Sequence, residues 1–376
     1  MIVDIYSEDK EIVAICSDYW ALGDGGQFVA TVAEITNKYG INSATLLKIV
    51  SNNSSAFSED MACPVCGEMY QFKNRSDCNT FIPVPGWVCD TCVAELKEAQ
   101  EQEFRDRLKS DYESCANKNI EITSLGFREI AYLLAVIRRS AAEDLSYILP
   151  HEENRTATLS PEFEFDIEIL RKLYREGLIA ISPLSDLDAF ELNNEGGFTF
   201  YVTRVAWNFV MFEDAKSPRS IIEKIEALLA SGDYRDDRHN EIVELAREIS
   251  LLECLSYLEY VVAEHQLSFT AGEKTKIVLN QVLDNFSVAQ AYNLIWRAAK
   301  DAAAFYMRSG ANRKHAANTI VGNIQRQLDR AVANNWEVNP FRRNYDKPQS
   351  ILSQVLFNTC LRTDDGGFSE PLWKLI

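Results

Sequence analysis

The hydrophobic positions along this chain recur mostly at three- and four-residue spacing, the period of helices that bury one face. Near the N-terminus the pattern predicts helices over 11–22, over the thirties and over 43–52. Ile35 and Tyr39 turn inward on one helix, Gly40 makes a turn, Ile41 plugs it, and Leu46, Ile49 and Val50 form the apolar face of the next. Asn42 or Ser43 is the expected cap. A long charged helix follows over 93–116, with a narrow seam of Phe104, Leu108 and Tyr112, and Glu103 and Arg107 spaced to support it. Ser124 is read as the cap of a helix bearing Phe127, Ile130, Ala131, Leu134 and Ile137. Another helix starts at Ser160-Pro161, runs through Ile167, Leu170 and Tyr174, and stops at Gly177. Two strand-like runs, 178–181 and 198–205, flank a turn at Gly196-Gly197. Beyond Ser217-Pro218 the pattern is helical throughout: 219–230, 239–264, 272–283, 287–308 and 312–335, without a repeat period. The last two form a hairpin whose tip is basic.

The expected fold class is therefore mainly α, with four parts. Residues 1–58 form a three-helix unit, 59–118 a cysteine-rich module with the long charged helix, 119–215 a winged-helix-like domain, and 216–376 an all-helical domain. A length of 376 residues supports two or more cores, and 47% hydrophobic with 25% charged residues is an ordered, globular composition. No stretch of 18 uncharged apolar residues is present, so no membrane span or membrane partner is expected. Residues 1–10 carry Asp4, Glu8 and Asp9 instead of a basic, apolar leader, which predicts a cytoplasmic protein.

The cysteines change the picture most. Five of nine are scattered singly, whereas Cys63-Pro64-Val65-Cys66 and Cys89-Asp90-Thr91-Cys92 are two tight pairs separated by 22 residues. Such pairs aim four thiolates at one tetrahedral ion, and the expected cofactor is a single structural zinc. Gly67 permits the positive φ that closes the first knuckle. The runs at 69–72 and 81–84 are expected to pair as a hairpin. The second pair leads into a strong helix former, which places Cys89 and Cys92 at a helix N-terminus, where the dipole favours thiolates. Knuckle, hairpin and ligand-bearing helix together resemble the treble-clef zinc fingers, with the zinc ribbon as the near alternative, over about residues 61–100. Cys78 lies between the pairs and is a possible substitute ligand. Four thiolates close the coordination shell, so the metal is expected to be structural and not catalytic.

Residues 32–50 resemble a helix-turn-helix of the homeodomain-like or sigma-factor type, with Thr36 standing where that motif has a small Ala. The resemblance implies that the second helix would meet DNA through Asn42, Ser43, Thr45, Lys48 and Asn52; the competing reading is a plain three-helix core. In the winged-helix-like part, Glu162, Glu164, Asp166 and Glu168 occupy the helix that would approach phosphates, so that part is read as structural or as a protein-interaction element.

Charge narrows the partners further. A net charge of −18 excludes nucleic-acid binding over the whole surface, and confines it to local sites. Residues 287–350 hold ten Lys or Arg against four Asp or Glu. Arg308, Arg313, Lys314, Arg342 and Arg343, with Arg326, Arg330, Phe341 and Tyr345 nearby, are the candidate contacts to an acidic partner. The alternative is that internal carboxylates occupy these arginines. No catalytic motif is present: Gly272-Glu273-Lys274-Thr275 lacks phosphate-loop spacing, the cluster Asp236, Asp237, His239 and Glu241 reads as a solvated loop, and there is neither a Gly-x-Ser-x-Gly nor a His-Glu-x-x-His. The sequence thus points to a DNA-associated regulatory or accessory protein with a structural zinc, and a non-enzyme is favoured over an enzyme whose site is assembled from residues distant in sequence. The rival is a zinc-stapled scaffold or inhibitor that binds a protein partner, or a second copy of itself, and no nucleic acid.

Overall fold

The computed structural model describes residues 1–153, 157–193, 197–363 and 367–375. It is mainly helical, 57% helix against 10% strand, as the period of the hydrophobic pattern requires. Among the described residues no helix is long and apolar enough to cross a membrane. The chain divides into two compact units, Met1–Phe104 and Arg105–Ile376.

The first unit contains β1 (Ile2–Ile5), α1 (Lys10–Trp20), α2 (Val32–Tyr39), α3 (Ser43–Asn53), β2 (Ser54–Ala62), β3 (Met69–Phe72), α4 (Arg75–Thr80) and the start of α5 (Asp90–Cys115). Local chemistry sets the helix ends. Asp9 accepts from the backbone of Glu11 and Ile12, Thr31 and Glu34 form a reciprocal capping box, and Asn42 accepts from Thr45 N at 2.8 Å. Gly40 sits at φ +66°, the left-handed conformation that ends α2. Ile35, Leu46 and Val50 are buried with Ile15, Tyr19 and Trp20 of α1 and with Ala56 and Phe72 of the sheet.

The sheet is antiparallel in the order β1-β2-β3, with Ile2 opposite Phe57, Ala56 opposite Phe72, and a register irregularity between Phe57 and Ala62. The 69–72 run therefore pairs backward with β2 and not forward with 81–84, which corrects the expected hairpin. Two features explain this. Pro83 and Pro85 have no N–H to give a ladder, and Asn74 caps the intervening α4 by accepting from Asp77 N. Phe81 instead stacks on Tyr70 and meets Phe72 edge-on.

In the second unit the remainder of α5 is followed by α6 (Phe127–Ser140) and α7 (Phe163–Arg175). Ser124 does not cap α6. It ends a short 3-10 turn, Ile122–Ser124, and the first helical N–H, that of Phe127, donates to Glu241 Oε2 at 2.8 Å. Four short strands follow: β4 (Ile179–Ile181), β5 (Phe190–Leu192), β6 (Phe198–Phe200) and β7 (Trp207–Phe209). The anticipated pairing of 178–181 with 198–205 is not formed. β4 pairs with β7, and β6 with β5. The backbone turns at Tyr201, whose carbonyl accepts from Arg204 and Val205, and fully buried Trp207 supplies the inward-facing partner. Gly196 of the expected turn lies outside the described residues.

The remaining core is helical: α8 (Pro218–Ala230), α9 (Gly232–Asp237), α10 (His239–Glu264), α11 (Glu273–Leu283), α12 (Val288–Ser309), α13 (Arg313–Ala317) and α14 (Thr319–Ala333). The segment expected as one helix over 312–335 is interrupted at Asn318. α12 carries its predicted stripe, with Val288, Tyr292, Ile295, Ala299 and Ala302 buried, and the rings of Tyr292 and Tyr257 of α10 stack 3.7 Å apart.

Candidate metal centre

The four cysteines reach one point from two local structures. Cys63 directly follows β2 and starts a knuckle closed by Gly67 N donating to Cys63 O at 2.9 Å and Cys63 N donating to Glu68 O at 2.8 Å, with Gly67 at φ +78°. Cys89 immediately precedes α5, where Val93 N donates to Cys89 O at 2.9 Å, and Cys92 lies in the first turn. Their sulfurs all lie within 4.8 Å of one another, and Cys66 Sγ is 3.6 Å from Cys89 Sγ. A tetrahedron of metal–sulfur bonds near 2.3 Å has sulfur–sulfur edges of about 3.8 Å, so the donor set fits one ion in a zinc-finger-like arrangement. Cys63, Cys89 and Cys92 are buried and Cys66 is exposed; Trp87 and Val88 pack against the group.

The thiols differ in acidity. Burial opposes ionisation of Cys63, but backbone N–H groups of Cys66, Cys89 and Val65 outweigh it and lower its pKa to about 6. Cys92 is pushed up by its hydrogen bonds to Cys66 and by burial, with Cys89 and Cys63 adding to the effect. Cys89 is raised as well: donation from the Cys92 backbone, the largest influence, is outweighed by burial and the neighbouring thiol and carboxylate. The Cys63 thiolate thus forms readily, whereas Cys89 and Cys92 resist ionisation. A dication resolves that mutual repulsion, because each ligand must be deprotonated to bind. Cys78 is not among the four. It packs in the first unit's core, its sulfur 3.9 Å from Met1 Sδ, and burial raises its pKa.

The residues nominated for nucleic-acid contact are placed as follows. Asn42, Ser43, Thr45, Lys48 and Asn52 are all exposed on or beside α3. Arg308 is exposed, with Nε donating to Ala304 O, and Arg313, Lys314 and Arg342 are exposed too. Arg343 lies inside: its guanidinium pairs with buried Glu253 at 3.1 Å and stacks 4.3 Å over Phe368. Burial raises the Glu253 pKa, and Arg343 and Ser353 act against that rise.

Two features of the first unit were not read from the sequence. Arg75 is a buried cation with no carboxylate partner among the described residues. Its guanidinium donates to the carbonyls of Asp18, Tyr19 and Ala30 and lies between the rings of Tyr19 and Phe28 at 4.4 and 4.3 Å. The second feature is a groove of about 700 Å³ beside β3. An arginine following Asn74 at a helix start carries no sequence signal that distinguishes it from a solvated one.

With this geometry established, comparison with known proteins adds no relative: no protein-family model, no curated protein and no solved structure matches the chain.

Proposed function

We propose that the protein is a metal-stapled docking module, in which zinc at Cys63, Cys66, Cys89 and Cys92 fixes the first unit and that unit presents the surroundings of the metal to a protein partner. The observation that carries this reading is the apolar surface beside the cysteines. Val65 in the knuckle, Ile82 and Val84 before the second pair, and Val93 and Leu96 in the opening turns of α5 are 56%, 78%, 59%, 51% and 46% exposed. Exposed apolar residues gathered around one small module are what an interaction site requires. Charge favours protein over nucleic acid. The first unit holds sixteen Asp or Glu against six Lys or Arg, and of those six Arg75 is buried and Lys38 is paired with Asp18. The test is capture from native extract with the wild-type chain and with Val65→Asp/Val84→Asp. A stoichiometric protein partner, free of nucleic-acid absorbance and lost in the double variant, supports the reading; equal capture by both chains contradicts it.

A second reading, a DNA-associated regulatory or accessory protein, is favoured by the exposed polar face of α3. Asn42, Ser43, Thr45, Lys48 and Asn52 follow a left-handed Gly40 turn, and Lys48 makes no ion pair among the described residues. Salt titration of duplex DNA binding with Lys48→Ala and Arg313→Ala tests it. Phosphate contacts predict a slope that each substitution lowers by about one, and absence of binding even at about 50 mM salt ends it.

A further inference from the structure

The groove beside β3 has the form of a peptide-binding edge. β3 is the outer strand of the sheet, and apart from its ladder to β2 the backbone of Met69–Phe72 makes no hydrogen bond among the described residues. Six consecutive residues, Glu68 to Lys73, line the groove. Side chains in a strand alternate between faces, so a cavity against one face meets every second residue; consecutive lining means that it runs along the strand's edge. The opposite wall is α3, with exposed Leu47 at the rim and buried Val50 and Trp20 behind it, and Trp87 closes the end near the metal cysteines.

We propose that this edge receives an extended basic segment of a partner protein as a fourth strand. The proposal rests on the docking-module reading and gives it a binding mode. Three properties select the occupant. First, unpaired strand N–H and C=O groups beside a groove are satisfied by another strand's backbone. Second, four residues of β3 span about 14 Å, the length of a peptide of four or five residues, and about 700 Å³ suits a chain of that size. Third, the charge is complementary to a cation. Glu68 and Asp90 line the groove against Lys73 alone, a metal bound by four thiolates at Cys89 and its partners adds two negative charges, and the unit around it carries sixteen acidic against six basic residues. Alternate side chains of the occupant would lie against Leu47 and Trp87, and the others would reach the carboxylates.

The experiment uses the full, metal-loaded chain and three labelled hexapeptides: alternating Arg-Val, alternating Glu-Val, and the Arg-Val peptide N-methylated at alternate amides. Binding is read by anisotropy, and amide exchange is followed across residues 68–73. The proposal expects Arg-Val to bind with protection of the β3 amides. The Glu-Val and N-methylated peptides should each lose at least tenfold, and Glu68→Lys should weaken Arg-Val binding several-fold. Leu47→Ala gives a second variant that leaves charge unchanged and is expected to weaken binding too. Failure of Arg-Val to bind, equal binding of the N-methylated peptide, retention of full affinity by both variants, or displacement of the peptide by short duplex DNA would each overturn the proposal. The docking-module reading fails separately, through unchanged capture by Val65→Asp/Val84→Asp.

Discussion

Replacing Arg75 by methionine tests how the first unit is held together. The methionine keeps an apolar stem of similar length but removes a cation that three carbonyls and two aromatic rings surround. Two of those carbonyls, Asp18 and Tyr19, belong to the last turn of α1, where no intrahelical donor remains for them. Hydrogen bonds from a charged donor contribute about 1.5–3 kcal/mol each, and a cation over a ring about 0.5–2 kcal/mol. Against this stands the cost of burying the guanidinium, which also lowers its pKa. A net loss of about 3 kcal/mol follows, since part of the gross gain repays desolvation and water can reach the helix end once the cation is gone. For a unit of roughly 100 residues that is a fall in the unfolding midpoint of roughly 10–25 °C. Amide exchange of the full chain, resolved over α1 and residues 21–31, separates this unit from the rest. Arg75→Lys should fall between, because one ammonium cannot span three divergent carbonyls. If Arg75→Met exchanges within about 0.5 kcal/mol of wild type, the carbonyl clamp contributes little and the reasoning is wrong.

Other expectations follow from the same geometry. Arg343→Ala strands Glu253 in the core and should cost about 3–5 kcal/mol by denaturant titration, whereas Arg343→Met/Glu253→Gln should recover most of it. Lys38 and Tyr39 hold the Asp18 carboxyl below its ordinary range. Its contribution is therefore present above pH ~4 and is lost as pH falls through the lower folded-state value, so Asp18→Asn should flatten the acid limb of the first unit's stability curve. Gly40→Ala forces a side chain into φ +66° and should destabilise α2 and α3 by about 1 kcal/mol, read as faster exchange at their junction.

The helical class and the four-cysteine cluster were legible because each rests on local signals: a 3.6-residue period, caps such as Asn42, and two Cys-x-x-Cys pairs. Strand pairing was not, because a four-residue run such as Met69–Phe72 fits more than one neighbour. Partner choice was decided by prolines at 83 and 85 and by residues far away in sequence. β1 was missed for the same reason, since its partner begins at Ser54. The interior position of Arg343 depends on Glu253, ninety residues earlier, and a basic cluster read in sequence cannot show which cations are already occupied. The groove is assembled from α1, α3, β3 and the start of α5, and only the folded chain brings these together.

The most direct test of the account is metal content. Purified full chain should carry one zinc per molecule by mass spectrometry of elements, and cobalt substitution should give the intense thiolate-to-metal absorption of a tetrahedral four-sulfur site. In Cys63→Ser/Cys66→Ser both should disappear, with rapid amide exchange across residues 61–96. A chain that is metal-free when purified under reducing conditions without chelator and fails to take up zinc or cobalt, or a double variant that keeps its metal and its protection, would contradict the central claim.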